Sequence, residues 1–296
     1  MRKPIFFAIL AAALYALNSP FSKLLLQNVP PTMMAGFLYL GAGVGMALMG
    51  LVRQHTQKEI RETRLQRRDL PYTVAMIALD IAAPIFLMIG LTRTTAANAS
   101  LLNNFEIVAT SLIAMLVFKE RIGKQLWIAI GLITLSSILL SVEDASSFHF
   151  SIGSLFVLLA CVCWGMENNC TRKLSKSDPL EIVVVKGLGS GVGSVALGLI
   201  VGEAFPVLRD IALILLLGFV AYGLSIYFYV YAQRNLGAAK TSAYYAVAPF
   251  IGVLLSLIIF RELPGTLFFI ALAIMILGTW LINHGQTESG GSQNEV

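Results

Sequence analysis

Charged side chains are scarce in this chain. They make up 12% of its 296 residues, about half the share usual in a soluble domain. A soluble protein so poor in charge would expose large adhesive apolar patches. Histidine is almost missing: His55, His149 and His284 fall in connecting segments or near the end. An intramembrane hydrolase needs a nucleophile with a base, or metal ligands, at membrane depth, so an enzyme is disfavoured. Cysteine is equally thin. Cys161, Cys163 and Cys170 share one apolar stretch, too few for a disulfide framework and at no zinc spacing. They read as small packing residues. No Gly-rich phosphate loop is present, so ATP is not expected to drive the protein, and no cofactor or metal is expected. Despite a formal net charge of +5, no basic surface with interleaved aromatics points to nucleic acid.

What the chain has instead is apolar length. It is 57% hydrophobic, with a mean hydropathy of +0.80. A helix needs about 20 apolar residues to cross a bilayer. Ten such spans are predicted, at 4–26, 32–52, 71–92, 95–118, 124–141, 151–173, 180–201, 208–233, 237–260 and 264–283. Met1-Arg2-Lys3 before the first resembles the start of a signal peptide. The segment is expected to be retained, because it has a partner later in the chain. The polar, Gly/Ser-rich residues 284–296 are expected to be a disordered tail.

The basic residues set the orientation. With the N-terminus inside, the inner segments hold Arg2 and Lys3, then Arg53, Lys58, Arg61, Arg64, Arg67 and Arg68. They also hold Lys119, Arg121 and Lys124, then Arg172, Lys173 and Lys176, then Arg234 and Lys240. The outer segments hold Arg93, Arg209 and Arg261. This bias predicts both termini inside, and the membrane expected is a bacterial inner membrane. Lys23 and Lys186 are left near or inside spans.

The chain also repeats itself. Leu101–Ile122 aligns without gaps on Ala243–Pro264, and both carry Phe-Lys/Arg-Glu: Phe118-Lys119-Glu120 and Phe260-Arg261-Glu262. Thr95–Ser100 matches Gly237–Ser242. More weakly, Tyr15–Lys23 lies over Trp164–Arg172, and Pro30 over Pro179. The division predicted is a first repeat at 1–147 and a second at 148–283. Five spans is an odd number, so the halves insert in opposite senses. Inverted repeats recur in secondary transporters, with the substrate site near the midplane. The fold class expected is therefore an all-α membrane protein, two inverted five-helix repeats around a central cavity.

These features resemble the drug/metabolite transporter superfamily, EamA type. The resemblance is carried by Ala96–Ser100 with Glu106-Ile107 and Lys119-Glu120, and by Ala238–Ser242 with Ala248-Pro249-Phe250 and Arg261-Glu262. Trp164-Gly165 followed by Arg172 adds to it. It implies ten helices, both termini inside, a cavity open alternately to each side, and export of small solutes. One departure stands out. Ile107 occupies the position where the pattern has proline, so the fourth helix lacks the residue that should break the ninth.

Ionisable groups at membrane depth cost about 2.5–3.5 kcal/mol each on insertion scales, so each needs a reason. Glu106, beside Asn103 in the fourth span, suits exchange of a proton or capture of a cation. Glu167, beside Asn168 in the sixth, does too, unless it is an interfacial ion pair. Its repeat-mate Asn18 sits with Ser19 and Pro20, which frees backbone carbonyls. Asp80 either joins this polar cavity or pairs with a neighbour such as Lys186. Tyr15, Trp164, Tyr222, Tyr244 and Tyr245 are the candidate aromatic walls, able to hold a cation by cation–π attraction. The glycine pairs Gly41/Gly45, Gly187/Gly191 and Gly189/Gly193 predict close helix contacts, within one subunit or in a homodimer. The reading is a secondary transporter, with protons as a candidate coupling ion, in a monomer or homodimer. The alternative is a structural or partner-binding membrane subunit.

Overall fold

The structure is a computed structural model; it describes residues 2–56, 64–119, 122–144, 149–174, 177–236, 241 and 244–291. Several sequence expectations lie outside the described residues: Glu120 and Arg121, the second helix start at 237–240 and 242–243, and Lys58, Arg61 and Lys176. All ten spans form as helices. The first is α1 (Arg2–Ala16) followed by α2 (Asn18–Leu25), the second α3 (Pro31–Thr56) and the third α4 (Leu70–Arg93). The fourth is α5 (Ala96–Leu102) with α6 (Phe105–Phe118), and the fifth α7 (Lys124–Ser141). A small antiparallel ladder, β1 (Val142–Asp144) with β2 (His149–Phe150), joins the halves. The sixth span is α8 (Ile152–Leu174) and the seventh α9 (Pro179–Ile200). The eighth runs through α10 (Leu208–Gly218), a π-helical turn (Phe219–Leu224) and α11 (Ser225–Leu236). The ninth contains α12 (Ala248–Phe260), and the tenth is α13 (Thr266–Gly291).

One boundary needs correction. The final helix continues through 284–291, where a disordered tail was expected. Extending an existing helix adds a hydrogen bond per residue and needs no new nucleus, so the apolar span carries its polar continuation with it.

The packing repeats with the sequence. The second span packs on the seventh, the fourth on the ninth and the fifth on the tenth. The third packs on the sixth as the eighth packs on the first, and the fourth meets the sixth as the ninth meets the first. Each pairing survives when every span is exchanged for the one five places along. The same exchange relates the two non-glycine residues with positive φ among the described residues, Lys119 (57°) and Arg261 (55°). Each closes its helix in the left-handed conformation, at a cost to an L-residue of roughly 1 kcal/mol. The aligned Phe-Lys and Phe-Arg ends are thus the same C-cap made twice.

The glycine stripes serve contacts inside the bundle. A Cβ on Gly187 would lie 2.5 Å from the Gly43 backbone, and one on Gly41 would lie 2.1 Å from the Leu215 carbonyl oxygen. No larger residue fits either crossing, so the second span lies flush on the seventh and eighth. Outward, Phe6, Leu48, Val117, Ile128 and Ile200 are exposed, as a lipid-facing belt requires.

Ten spans put the described ends of the chain, the start of α1 and the end of α13, on one face. The two halves of the bundle, divided by depth, differ. Towards the face away from the chain ends it is solid: Met33, Met34, Leu87, Met88, Leu91 and Leu101 are fully buried. Polar ties close the same end. Lys23 Nζ donates to the carbonyls of Leu91 and Thr94, the latter at 2.8 Å. The Glu203 carboxylate accepts from the Thr32 and Met33 amides at 3.1 and 2.8 Å, at the start of α3, where the helix dipole favours an anion. Asn98 Nδ2 reaches Leu140 O at 3.1 Å and Ser154 Oγ at 3.0 Å, tying the fourth, fifth and sixth spans.

Candidate functional site

Three spans that meet at the centre are interrupted there, and each interruption has a local cause. In the first span, Pro20 has no amide to give the Ala16 carbonyl, and its ring clashes there. The helix breaks at Leu17, whose amide bonds back to Leu14 O at 3.2 Å. In the fourth span, the break comes at Asn103-Asn104 without proline. The amides of Asn104, Glu106 and Ile107 bond three residues back, at 3.2, 3.1 and 3.1 Å, and Asn104 Nδ2 bonds Leu101 O at 3.3 Å. Asparagine side chains compete with helical bonding in this way. So Ile107 does not prevent the break; the paired asparagines make it. In the ninth span, a turn at Ala246-Val247 precedes Pro249, which needs no amide partner at the start of α12. The eighth span adds the π-helical turn that carries Tyr222, a feature common at functional sites. The sixth span is unbroken, so the match of Glu167 to Asn18 does not extend to a matching break.

Between these interruptions lies a cavity of about 540 Å³. It runs from mid-bundle into the half nearer the chain ends. Val183 in the second turn of α9, Asn168 near the end of α8 and Tyr229 in α11 line that part. One wall is polar. Asn103, Glu106 and Thr110 from the fourth span, Glu167 and Asn168 from the sixth and Lys186 from the seventh form it. The other wall is aromatic. Tyr39–Tyr222 centroids are 5.2 Å apart, Tyr222–Tyr15 5.9 Å, Tyr15–Tyr245 5.9 Å and Tyr245–Tyr229 5.0 Å. Five rings thus form one contiguous surface, at spacings where aromatic pairs attract.

The polar wall is organised around Lys186. Its Nζ lies 3.1 Å from Asp80 Oδ2 and 3.0 Å from Glu167 Oε1. Asp80 is fully buried, Glu167 is 2% exposed and Lys186 is 15% exposed, so the ammonium is the cavity-facing member. Asp80 also accepts from Tyr39 OH at 2.9 Å, and Tyr39 OH accepts from Trp164 Nε1 at 3.3 Å. Thr171 Oγ1 donates to Glu167. The network therefore joins spans of both halves. Glu106 stands apart: its Oε1 accepts from Asn168 Nδ2 at 2.6 Å. Among the described residues no cation pairs with it, and the Oδ1 of buried Asn103 has no hydrogen-bond partner.

Of the candidates from the sequence, Tyr15, Asn103, Glu106, Trp164, Glu167, Asn168, Tyr222 and Tyr245 line the cavity. Asn18, Ser19, Asp80 and Tyr244 are not among its lining residues. Asn18 is buried behind the wall, donating to Tyr222 OH at 3.0 Å and accepting from Ser22 Oγ at 3.0 Å. Asp80 is the buried partner of Lys186, the pairing weighed from the sequence. Ser19 is 4% exposed. Tyr39, Thr110 and Tyr229 line the cavity without standing out in the sequence, where Lys186 is legible only as a partner for Asp80. A lysine at span depth signals a buried counter-charge, but Glu167, 19 positions earlier, has no sequence relation to it.

A polytopic helical bundle with a polar, aromatic-walled chamber at the junction of two related halves is the architecture of a membrane carrier. The chain matches the EamA-like transporter family over residues 2–142 and again over 151–284; it belongs to that family and is a membrane transporter, not an enzyme. It is 25% identical over 291 residues to an uncharacterized transporter of Methanothermobacter thermautotrophicus, covering 93% of this chain and 84% of that one. It is 23% identical over 270 residues to the uncharacterized inner membrane transporter YedA of Escherichia coli K12, covering 88% and 84%. It is 21% identical over 223 residues to the uncharacterized transporter YyaM of Bacillus subtilis, covering 72% and 73%. A solved structure titled only "Crystal structure of protein" superposes with a TM-score of 0.67 at 18% identity, covering 94% of this chain and 95% of that one. It shows a shared fold.

Proposed function

We propose that this transporter is a secondary active exporter of small metabolites, amino acids or organic cations among them, working by alternating access in a bacterial inner membrane. The observation that carries the reading is the 540 Å³ chamber, shut on one side by packed side chains and reaching towards the face of the chain ends. The positive-inside bias makes that face cytoplasmic, so the conformation is the one that loads from the cytoplasm. The repeats at 1–147 and 148–283 rock about the chamber, and opening outward requires the Lys23, Glu203 and Asn98 ties to part. The inner-membrane relative supports the location.

Protons are the coupling ion in this reading, carried by Glu106 or Glu167, the two carboxylates in the cavity wall. The test is efflux from proteoliposomes under an imposed pH gradient. Protein-dependent efflux should respond to the gradient and be lost with Glu106→Gln or Glu167→Gln. Efflux indifferent to the gradient and to both substitutions ends the coupling proposal. Absence of protein-dependent efflux of any solute favours a partner-binding membrane subunit instead.

A further inference from the structure

The charges in the chamber are unequal, and their pairing says what the chamber accepts. Lys186 is the one cation among the described residues that line it, and two carboxylates already hold it. With Asp80 and Glu167 it forms a cluster of formal charge −1, so an anionic group entering the chamber would meet that ammonium beside two carboxylates. Three other donors are committed: Asn168 Nδ2 to Glu106, Trp164 Nε1 to Tyr39 and Ser111 Oγ to Ile107 O. The start of α12 offers little. Pro249 has no amide hydrogen, and the Phe250 and Ile251 amides both bond Val247 O at 3.1 Å.

The acceptors are in the opposite condition. Glu106 has no cationic partner among the described residues, and Asn103 Oδ1, on a residue 8% exposed, accepts from nothing. Both line the same chamber as Tyr15, Tyr222 and Tyr245. A half-buried carboxylate, an unpartnered carbonyl oxygen and ring faces together suit one kind of ligand group, an ammonium on an apolar body.

We infer that the substrate is an organic cation without a carboxylate, such as an aryl-alkyl amine, bound through its ammonium by Glu106 and Asn103 against the tyrosine wall. Amino acid zwitterions and organic anions are disfavoured because the carboxylates beside Lys186 outnumber it. This rests on the transporter reading and narrows it. The chamber selects by balance: an acceptor set that needs a donor, and one cation outnumbered by its own carboxylates.

The experiment uses the full-length protein in proteoliposomes loaded with equal amounts of phenethylamine, phenylalanine and 3-phenylpropionate. These three share the ring and differ in charge. Protein-dependent loss of each is followed by mass spectrometry, with thermal stabilisation of the purified protein by each compound as a second readout. The expected result is loss of phenethylamine at least tenfold faster than of the other two, with stabilisation by the amine alone. Glu106→Gln should remove at least tenfold of the amine's apparent affinity, and Asn103→Ala a smaller part. Both variants must keep the parent's unliganded melting temperature, which separates ligand loss from misfolding. Preferential loss of phenylalanine or phenylpropionate overturns this assignment and leaves the transporter reading standing, as does amine transport undiminished in folded Glu106→Gln. No protein-dependent loss of any of the three overturns the assignment; if a wider panel also stays inside, the transport reading falls with it.

Discussion

The two walls of the chamber come from spans related by the repeat, yet they carry opposite chemistry. The polar wall is built on the fourth, sixth and seventh spans. Their counterparts five places along, the ninth, first and second, supply Tyr245, Tyr15 and Tyr39 to the aromatic wall. The repeat sets the chamber's shape; the side chains that differ between the copies set its chemistry. The fourth and ninth spans show this most directly. Both break at the cavity, one on Asn103-Asn104 with Glu106 following, the other on Ala246-Val247 with Pro249. The same bend holds a charge in one copy and leaves an apolar lining in the other.

The largest effect should come from the polar wall's ion cluster. Removing one partner of a buried pair strands the remaining charge, at about 3–5 kcal/mol. Lys186→Met should therefore lower the melting temperature sharply in detergent. Adding Asp80→Asn and Glu167→Gln should recover most of the loss. A Lys186→Met protein that melts like the parent would show that the cluster does not hold the halves together.

The next effect falls on the aromatic wall. Tyr222→Phe keeps the ring contacts with Tyr15 and Tyr39 and deletes the oxygen that accepts from Asn18. An unpaired buried amide costs about 1–3 kcal/mol, so stability should fall within that range. Tyr222→Phe in combination with Asn18→Leu should cost less than the two singles added together.

A finer distinction tests the rings as cation binders. Tyr15→Phe should leave amine affinity within about threefold of the parent. Tyr15→Leu should weaken it by about the 0.5–2 kcal/mol of a cation–π contact, measured by binding to the purified protein. Equal affinities for the two variants would reduce the wall to a shape.

The smallest effect concerns the ninth-span bend. The fourth span breaks without proline, so the bend does not depend on one. Pro249→Ala should change stability by less than about 1 kcal/mol, the scale of backbone entropy effects. A collapse in stability or transport would mean that the two bends are held by unrelated means.

Much of this was legible in the residues themselves. The span count follows from apolar length, and the repeat from the Phe-Lys and Phe-Arg ends, which prove to be matching left-handed caps. Glu106 was legible because a lone carboxylate deep in an apolar run has few reasons to be there. The glycine stripes were legible as close contacts, but not their partners: Gly41 meets Leu215, from another span altogether. Asn18 and Asp80 stand out in the sequence, yet both lie behind the wall, each committed to a tyrosine or lysine that faces the cavity.

By itself the sequence determined ten spans, two related halves and the presence of costly polar groups in the bilayer, because these depend on local composition and period. Only the tertiary structure decided which of those groups stay unpaired. Pairing is a matter of distance between residues far apart along the chain. Lys186 between Asp80 and Glu167, and Glu106 with no cation beside it among the described residues, exist only once three-dimensional packing has brought some charges together and kept others apart.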